Sequence, residues 1–196
     1  PGNKSLFETY HNIGYVYSEL GEYEKALEYT NIALEIIEKG TDENPDIAVC
    51  YNSLGGIYGS MGKYEDAMKA YMKSLSIARM SLGDTHPDVA IYYNNIGYLY
   101  SLNDDTTSAL DYYRKATELW ESTYGKKHPA VAGGYFNIGY ILVDMRDYDS
   151  SREYINKALT IYNTVFGECH VSVSRCYDAL GSLNLSLVDY DSALEY

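Results

Sequence analysis

One short phrase returns along this chain at a fixed interval. It reads Pro-Asp-Ile-Ala-x-x-Tyr-Asn-x-Leu-Gly at Pro45–Gly55 and Pro-Asp-Val-Ala-x-x-Tyr-Asn-Asn-Ile-Gly at Pro87–Gly97. It recurs as Pro-Ala-Val-Ala-x-x-Tyr-x-Asn-Ile-Gly at Pro129–Gly139, and in weaker form at Val171–Gly181. Gly55, Gly97, Gly139 and Gly181 are 42 residues apart, and so are Tyr51, Tyr93, Tyr135 and Tyr177. A period of this size marks a stacked array in which each unit buries its apolar face only against its neighbours. The boundaries read as 4–44, 45–86, 87–128, 129–170 and 171–196, forming one array over 1–196.

Each unit reads as two helices. In the third, Pro87 suits a first helical turn, where its missing N–H has no intrahelical partner to lose. Asp88 follows where the helix dipole favours an acid. Val89, Ala90, Tyr93, Ile96, Gly97 and Tyr100 then fall at helical steps on one stripe. Asn103-Asp104-Asp105 interrupts, and Ala109, Leu110, Tyr113, Ala116 and Trp120 form the stripe of a second helix, with Gly125 as its C-cap. Second helices are expected to begin near Tyr23, Tyr64, Thr106, Tyr148 and Tyr190. The expected count is ten helices, the last cut short at Tyr196. The first unit closes with a shorter loop, Lys39-Gly40-Thr41-Asp42.

Glycine inside a helix costs about 1 kcal/mol relative to alanine. Gly14, Gly55, Gly97, Gly139 and Gly181 accept that cost in every first helix. Ala26, Ala67, Ala109, Ser151 and Ala193 occupy the matching place on the second helices. The pattern predicts that each pair of helices packs at close range, with Tyr17, Tyr58 and Tyr100 filling the gap one turn later.

Tyr51, Leu54, Gly55, Tyr58, Gly62, Tyr64, Ala67 and Tyr71, with Ser74 in place of a final alanine, resemble the tetratricopeptide repeat. Tyr93, Ile96, Gly97, Tyr100, Ala109, Tyr113 and Ala116 carry the same resemblance. The 42-residue period and the Gly-x-x-His-Pro-x-Val-Ala junctions at Gly83–Ala90 and Gly125–Ala132 are similar to the kinesin-light-chain and nephrocystin-3 type. The resemblance implies an all-α fold, an α–α superhelix (a solenoid) of about five helix-turn-helix repeats with the last truncated. It also implies that first helices line a concave face that holds a partner.

Core stripes leave four positions on each first helix for that face. Six residues before the glycine stand Glu8, Val49, Ile91, Gly133 and Arg175; three before it, His11, Asn52, Asn94, Phe136 and Asp178. Two before it stand Asn12, Ser53, Asn95, Asn137 and Ala179; one after it, Tyr15, Gly56, Tyr98, Tyr140 and Ser182. An asparagine side chain both donates and accepts, and so matches the N–H and C=O of an extended peptide. Tyrosine adds flat apolar area with a polar tip at small entropic loss. The expected peptide-binding set is Asn12, Tyr15, Asn52, Asn94, Asn95, Tyr98, Asn137 and Tyr140. The first helices of the second, third and fourth repeats hold no Lys or Arg, so a carboxylate ligand meets no countercharge there. That departs from the family's chaperone-binding members and its kinesin light chains, which the resemblance associates with basic grooves.

Composition narrows the remaining classes. A net charge of -13 argues against nucleic acid and anionic membranes as partners. No apolar run is long enough to insert in a membrane. Three cysteines at no framework spacing fit a reduced, cytoplasmic setting. Much of the acidic excess falls on second helices, with Glu22, Glu24, Glu28, Glu35 and Glu38 near one and Asp104, Asp105, Asp111, Glu118 and Glu121 near another. These read as a solvated outer face. His86, His128 and His170 recur with the repeat and read as junction residues; about 10 Å between neighbouring helices is too far for them to share a metal ion. No phosphate loop, nucleophile motif or dinucleotide fingerprint is present. The expectation is therefore a scaffold for a protein or peptide partner, without catalysis, cofactor or metal. Self-association through the solenoid ends and a regulatory module of a larger motor or enzyme are the alternatives. Pro1-Gly2 reads as a cloning remnant, and the helical pattern running to Tyr196 as part of a longer protein.

Overall fold

The computed structural model describes the backbone of residues 2–38 and 44–194 and the side chains of 4–38 and 44–185. The closing loop 39–43 lies outside these. The described residues form helices α1 (Gly2–Glu19), α2 (Tyr23–Glu38), α3 (Pro45–Ser60), α4 (Tyr64–Leu82), α5 (Pro87–Leu102), α6 (Thr106–Tyr124), α7 (Pro129–Asp144), α8 (Tyr148–Phe166) and α9 (Val171–Leu194). Second helices thus start at Tyr23, Tyr64, Thr106 and Tyr148, as expected. The chain divides into two compact units, Pro1–Asn103 and Asp104–Tyr196. In the first, α1 pairs with α2 and α3 with α4, and α2 and α4 pack against the first helix that follows each. In the second, α7 pairs with α8, α6 packs on α7 and α8 on α9.

Helix starts are fixed by local hydrogen bonds. Asn44 Oδ1 accepts from the Asp46 N–H at 3.0 Å and caps α3. At the same repeat position, the Nδ1 atoms of His86, His128 and His170 accept from the N–H groups of Asp88, Ala130 and Ser172 at 3.2, 3.1 and 3.2 Å. Each imidazole does an asparagine's work, which requires it neutral with its proton on Nε2. Asp105 and Asp147 cap α6 and α8 in the ordinary way. Gly83, Gly125 and Gly167 end their helices with φ of 87°, 81° and 82°, values a side chain rarely adopts.

The turn inside each hairpin also needs a left-handed residue, seven after the repeated glycine. Gly21, Gly62, Asp104 and Arg146 fill it at φ 75°, 72°, 59° and 60°. The fifth copy has Val188 there. A β-branched residue is a steric outlier at positive φ. Accordingly α9 continues unbroken from Val171 to Leu194, and the expected tenth helix near Tyr190 does not form.

The core confirms the paired stripes and adds a second buried face. Ala109, Leu110, Tyr113, Ala116 and Trp120 are buried as expected. On α5, however, Tyr92 and Leu99 are buried at 5% and 2% exposure, while Tyr93 and Tyr100 are only half-buried. α3 packs against α4 on one side and α2 on the other, and α7 likewise against α8 and α6. Ala33, Leu34 and Ile37 of α2 share a cluster with Ile47, Cys50 and Leu54 of α3. Each large aliphatic side chain so buried contributes about 1.5–3 kcal/mol. The ion pairs, such as Lys69–Asp66 and Lys157–Glu153, are exposed. An exposed pair contributes about 0–1 kcal/mol, so apolar packing holds the hairpins together.

Two of the repeated glycines, Gly14 and Gly139, meet second-helix backbone at the alanine position. A Cβ on Gly139 would lie 3.2 Å from both the Ser151 carbonyl oxygen and the Ile155 nitrogen, and 2.7 Å from Ile155 Cγ1. Ser151 Oγ donates to the Gly139 carbonyl at 2.8 Å. At Gly14 the neighbours are the Ala26 carbonyl and Thr30, and at Gly55 the ring of Tyr71. Gly181 has nothing within 4 Å of its would-be Cβ.

This contrast yields a pair of opposite outcomes. Gly139→Ala is expected to lower stability by about 1–3 kcal/mol through overpacking against backbone that cannot withdraw. Gly181→Ala is expected to raise it by up to about 1 kcal/mol through helix propensity alone. Thermal and urea melts of the two variants check the signs.

Candidate functional site

With two faces packed, α3 and α7 keep only a narrow strip for solvent. One residue after the glycine, Tyr15, Tyr98 and Tyr140 stand 60%, 54% and 60% exposed. Gly56 and Ser182 fill that position in the other repeats. No packing demand accounts for large aromatics at this register. The tyrosines three residues on (Tyr17, Tyr58 and Tyr100) and those at Tyr51 and Tyr135 are half-buried instead. Tyr17 stacks on Tyr29 with ring centroids 5.4 Å apart. Tyr51 lies under Lys73, whose ammonium is 4.2 Å from the ring centroid, and donates to Glu38. Tyr135 donates to Glu121, and burial together with that carboxylate pushes its phenol well above the usual range. These are structural tyrosines.

The asparagines behave differently from the exposed tyrosines. The Asn95 amide donates to Asn52 Oδ1 at 2.8 Å, bridging α3 and α5. One repeat earlier the same bridge is made by His11 Nε2 and Ser53 Oγ at 2.9 Å. The rule is that the residue three before one glycine bonds the residue two before the next. His11 also stacks on Phe7, and burial lowers its basicity. Asn94 and Asn137 are half-buried and engaged within the protein. Asn12 is exposed. Of the eight expected residues, then, Tyr15, Tyr98, Tyr140 and Asn12 lie open to solvent. Asn52 and Asn95 use part of their hydrogen-bonding capacity to tie neighbouring helices; an asparagine retains further donors and acceptors after one such bond.

Two features of the strip escaped the sequence reading. Tyr71 of α4 lies across Gly55, and its hydroxyl reaches within 3.6 Å of where a Gly56 Cβ would stand. Burial pushes its phenol up to about 12. The doubled glycine was the signal, since two adjacent missing side chains leave room for a ring to pass between helices. In the second unit, Arg175 of α9 lies over the Phe136 ring of α7, 4.9 Å from its centroid. The Tyr162 hydroxyl from α8 fills the space beside Gly133. A guanidinium on an aromatic face contributes about 0.5–1 kcal/mol at an exposed site, enough to orient it.

Comparison with known proteins agrees with this geometry. The family description Tetratricopeptide repeat matches residues 5–80, 46–122, 88–141 and 130–196. The chain belongs to the tetratricopeptide repeat family. Its fold is similar to BtubC (BKLC) from P. vanneervenii, at a TM-score of 0.77 and 21% identity over 98% of this chain and 80% of that one. It is similar to a Podosopora anserina protein assigned as a kinesin light chain with nearly identical TPR-like repeats, at 0.71 and 17% identity over 96% and 94%. It is also similar to the apo form of RapI, at 0.75 and 20% identity over 98% of this chain and 54% of that one. No curated protein matches the chain by sequence.

A tetratricopeptide array is a scaffold for protein partners. The three junction histidines are helix caps. Burial pushes the thiols of Cys50 and Cys176 up to about 12 and about 11, leaving almost no thiolate at neutral pH. Among the described residues no group of three or more His, Cys, Asp or Glu could hold a metal ion. None of the described helices is long and apolar enough to cross a membrane.

The Asn52–Asn95 bridge makes a definite stability prediction. A double-mutant cycle with Asn52→Ala and Asn95→Ala should give a coupling of about 0.5–1.5 kcal/mol. Additive losses in urea melts would mean that the bridge does not form in solution.

Proposed function

We propose that the first-helix strips, on α1, α3 and α5 of the first unit and on α7 and α9 of the second, hold extended segments of another protein, as an adaptor of the kinesin-light-chain type. The observation that carries this reading is the recurrence of a solvent-exposed tyrosine at one register position, Tyr15, Tyr98 and Tyr140. Rigid aromatics with a polar tip are the side chains most often found to dominate protein–protein affinity. Support comes also from Asn12, Asn52, Asn94, Asn95 and Asn137 along the same helices, whose amides suit the backbone of an extended chain. The likeness in fold to the kinesin-light-chain repeats is consistent with the same use.

The chemistry of the strip selects among segments. α3, α5 and α7 contribute no Lys or Arg, and Arg175 is the cation on α9. An anionic segment would lose hydration along α3, α5 or α7 without gaining a countercharge. The segment proposed is therefore neutral where it meets these helices, with aromatic or aliphatic side chains to set against the tyrosines. The acidic residues of α2 and α6 favour solubility.

Peptide display against the chain tests this. Selected peptides should be apolar and uncharged at their centres. Tyr98→Ala with Tyr140→Ala should weaken them at least tenfold, about 1.4 kcal/mol, with the melting transition unchanged because both side chains are exposed. Equal affinity for the double variant would move the site off this strip.

A further inference from the structure

The row of exposed tyrosines in the first unit is broken on α3, and the break has a floor of its own. One residue after the repeated glycine, α1 carries Tyr15 and α5 carries Tyr98, while α3 carries Gly56. α3 touches both neighbours. Hydrogen bonds one turn earlier hold the three helices in register: His11 bonds Ser53, and Asn95 bonds Asn52. Residues three and four further along a helix lie on the same face. Tyr15 and Tyr98, both largely exposed, therefore stand on either side of Gly56.

Beneath the break lies Tyr71 of α4. Its ring crosses Gly55, and its hydroxyl comes within 3.6 Å of where a Gly56 Cβ would stand. The residue is 6% exposed, yet its hydroxyl has no hydrogen-bond partner among the described residues. The oxygen is not sealed in, for the fully buried side-chain oxygens without a partner are those of Thr30 and Asn163. Buried polar groups ordinarily find a partner; this one is aimed at a gap between side chains. Burial, with the Tyr98 phenol nearby, pushes it up to about 12, so at neutral pH it keeps its proton and can donate. Asn52 stands one turn before Gly56, and its amide nitrogen is not used in the bond to Asn95. Two donors thus border the break, and α3 and α5 hold no Lys or Arg.

We propose that the break at Gly56 is a side-chain subsite of the first unit's strip, and that it takes an uncharged amide side chain, Gln or Asn, from the bound segment. This rests on the reading of the strip as a peptide site and adds to it a chemical class. The amide carbonyl accepts from the Tyr71 hydroxyl, with the Asn52 amide as a second donor, while the methylenes lie between the tyrosines. A carboxylate would accept from the same donors but would lose its hydration beside no countercharge. An aliphatic end of equal length would fill the space and leave the phenol unpaired.

The probes are acetyl-Phe-Gln-Phe-amide and its Met and Glu counterparts, titrated into the whole ¹⁵N-labelled chain and read at the amides of residues 52–60. The Gln peptide should give saturable shifts there and bind about three- to tenfold more tightly than the Met peptide. Tyr71→Phe, which keeps the ring, should erase that ratio while leaving the Met peptide's affinity unchanged. Gly56→Leu puts a Cβ where it meets only the Tyr71 hydroxyl, at an ordinary contact distance, so the fold should survive and the shifts should vanish. Thermal melts check that both variants fold; the comparison of the three peptides on the wild-type chain needs neither. Absence of saturable shifts at 52–60, equal binding by the Gln and Met peptides, a ratio that survives Tyr71→Phe, or tighter binding by the Glu peptide overturns the proposal. Equal binding by Gln and Met with shifts at Tyr15 and Tyr98 removes the subsite and leaves the strip reading standing. That reading fails separately, on displayed peptides that are indifferent to Tyr98 and Tyr140.

Discussion

The first, second and fourth hairpins close where a glycine of the first helix leaves room for the second, against its backbone at Gly14 and Gly139 and against the Tyr71 ring at Gly55. At Gly139 the nearest second-helix backbone atoms stand 3.2 Å from where a Cβ would be, and the Ser151 hydroxyl completes the contact by bonding the glycine carbonyl. That approach sets the angle at which the two helices leave one another. It thereby decides which side of the first helix is free for the preceding hairpin and which strip remains in solvent. The side chain laid over the glycine varies from Thr30 to Tyr71 to Ile155.

From this constraint the division of labour among residue types follows. Small and aliphatic residues fill both packed faces, so the first helices are apolar without being membrane-like. Histidine and asparagine share the capping position, and glycine or a tolerant polar residue takes the left-handed turn. Tyrosine serves two purposes at different registers. Tyr51 and Tyr135 are clamped between a carboxylate of the preceding helix and a lysine of their own hairpin. Tyr98 and Tyr140, by contrast, present their rings to solvent.

Much of this was legible in the sequence because the period does the averaging. Glycines 42 residues apart located the hairpins, and the Pro-x-Val-Ala starts located the first helices. The parts that were not legible depend on neighbours. A helical stripe drawn through Val89, Tyr93 and Ile96 captures one packed face, while the burial of Tyr92 and Leu99 follows only from the hairpin beside them. The unbroken α9 was hidden in one residue, Val188, since the apolar pattern ran on as though a turn were available. The asparagines were read one at a time as ligands for a peptide. The Asn52–Asn95 bridge needs two helices in register and could not be read from either alone.

The most direct measurement is a double-mutant cycle across the closing contact of the second hairpin, Gly55→Ala with Tyr71→Leu, read by urea unfolding. A Cβ on Gly55 would lie 2.5 Å from Tyr71 Cδ1, so the ring is the obstacle. The account predicts that Gly55→Ala destabilises the wild-type background and becomes neutral or stabilising once the ring is removed, with a coupling of about 1–3 kcal/mol. Equal effects of Gly55→Ala in both backgrounds would contradict it, and would mean that the Tyr71 ring is not what the glycine makes room for.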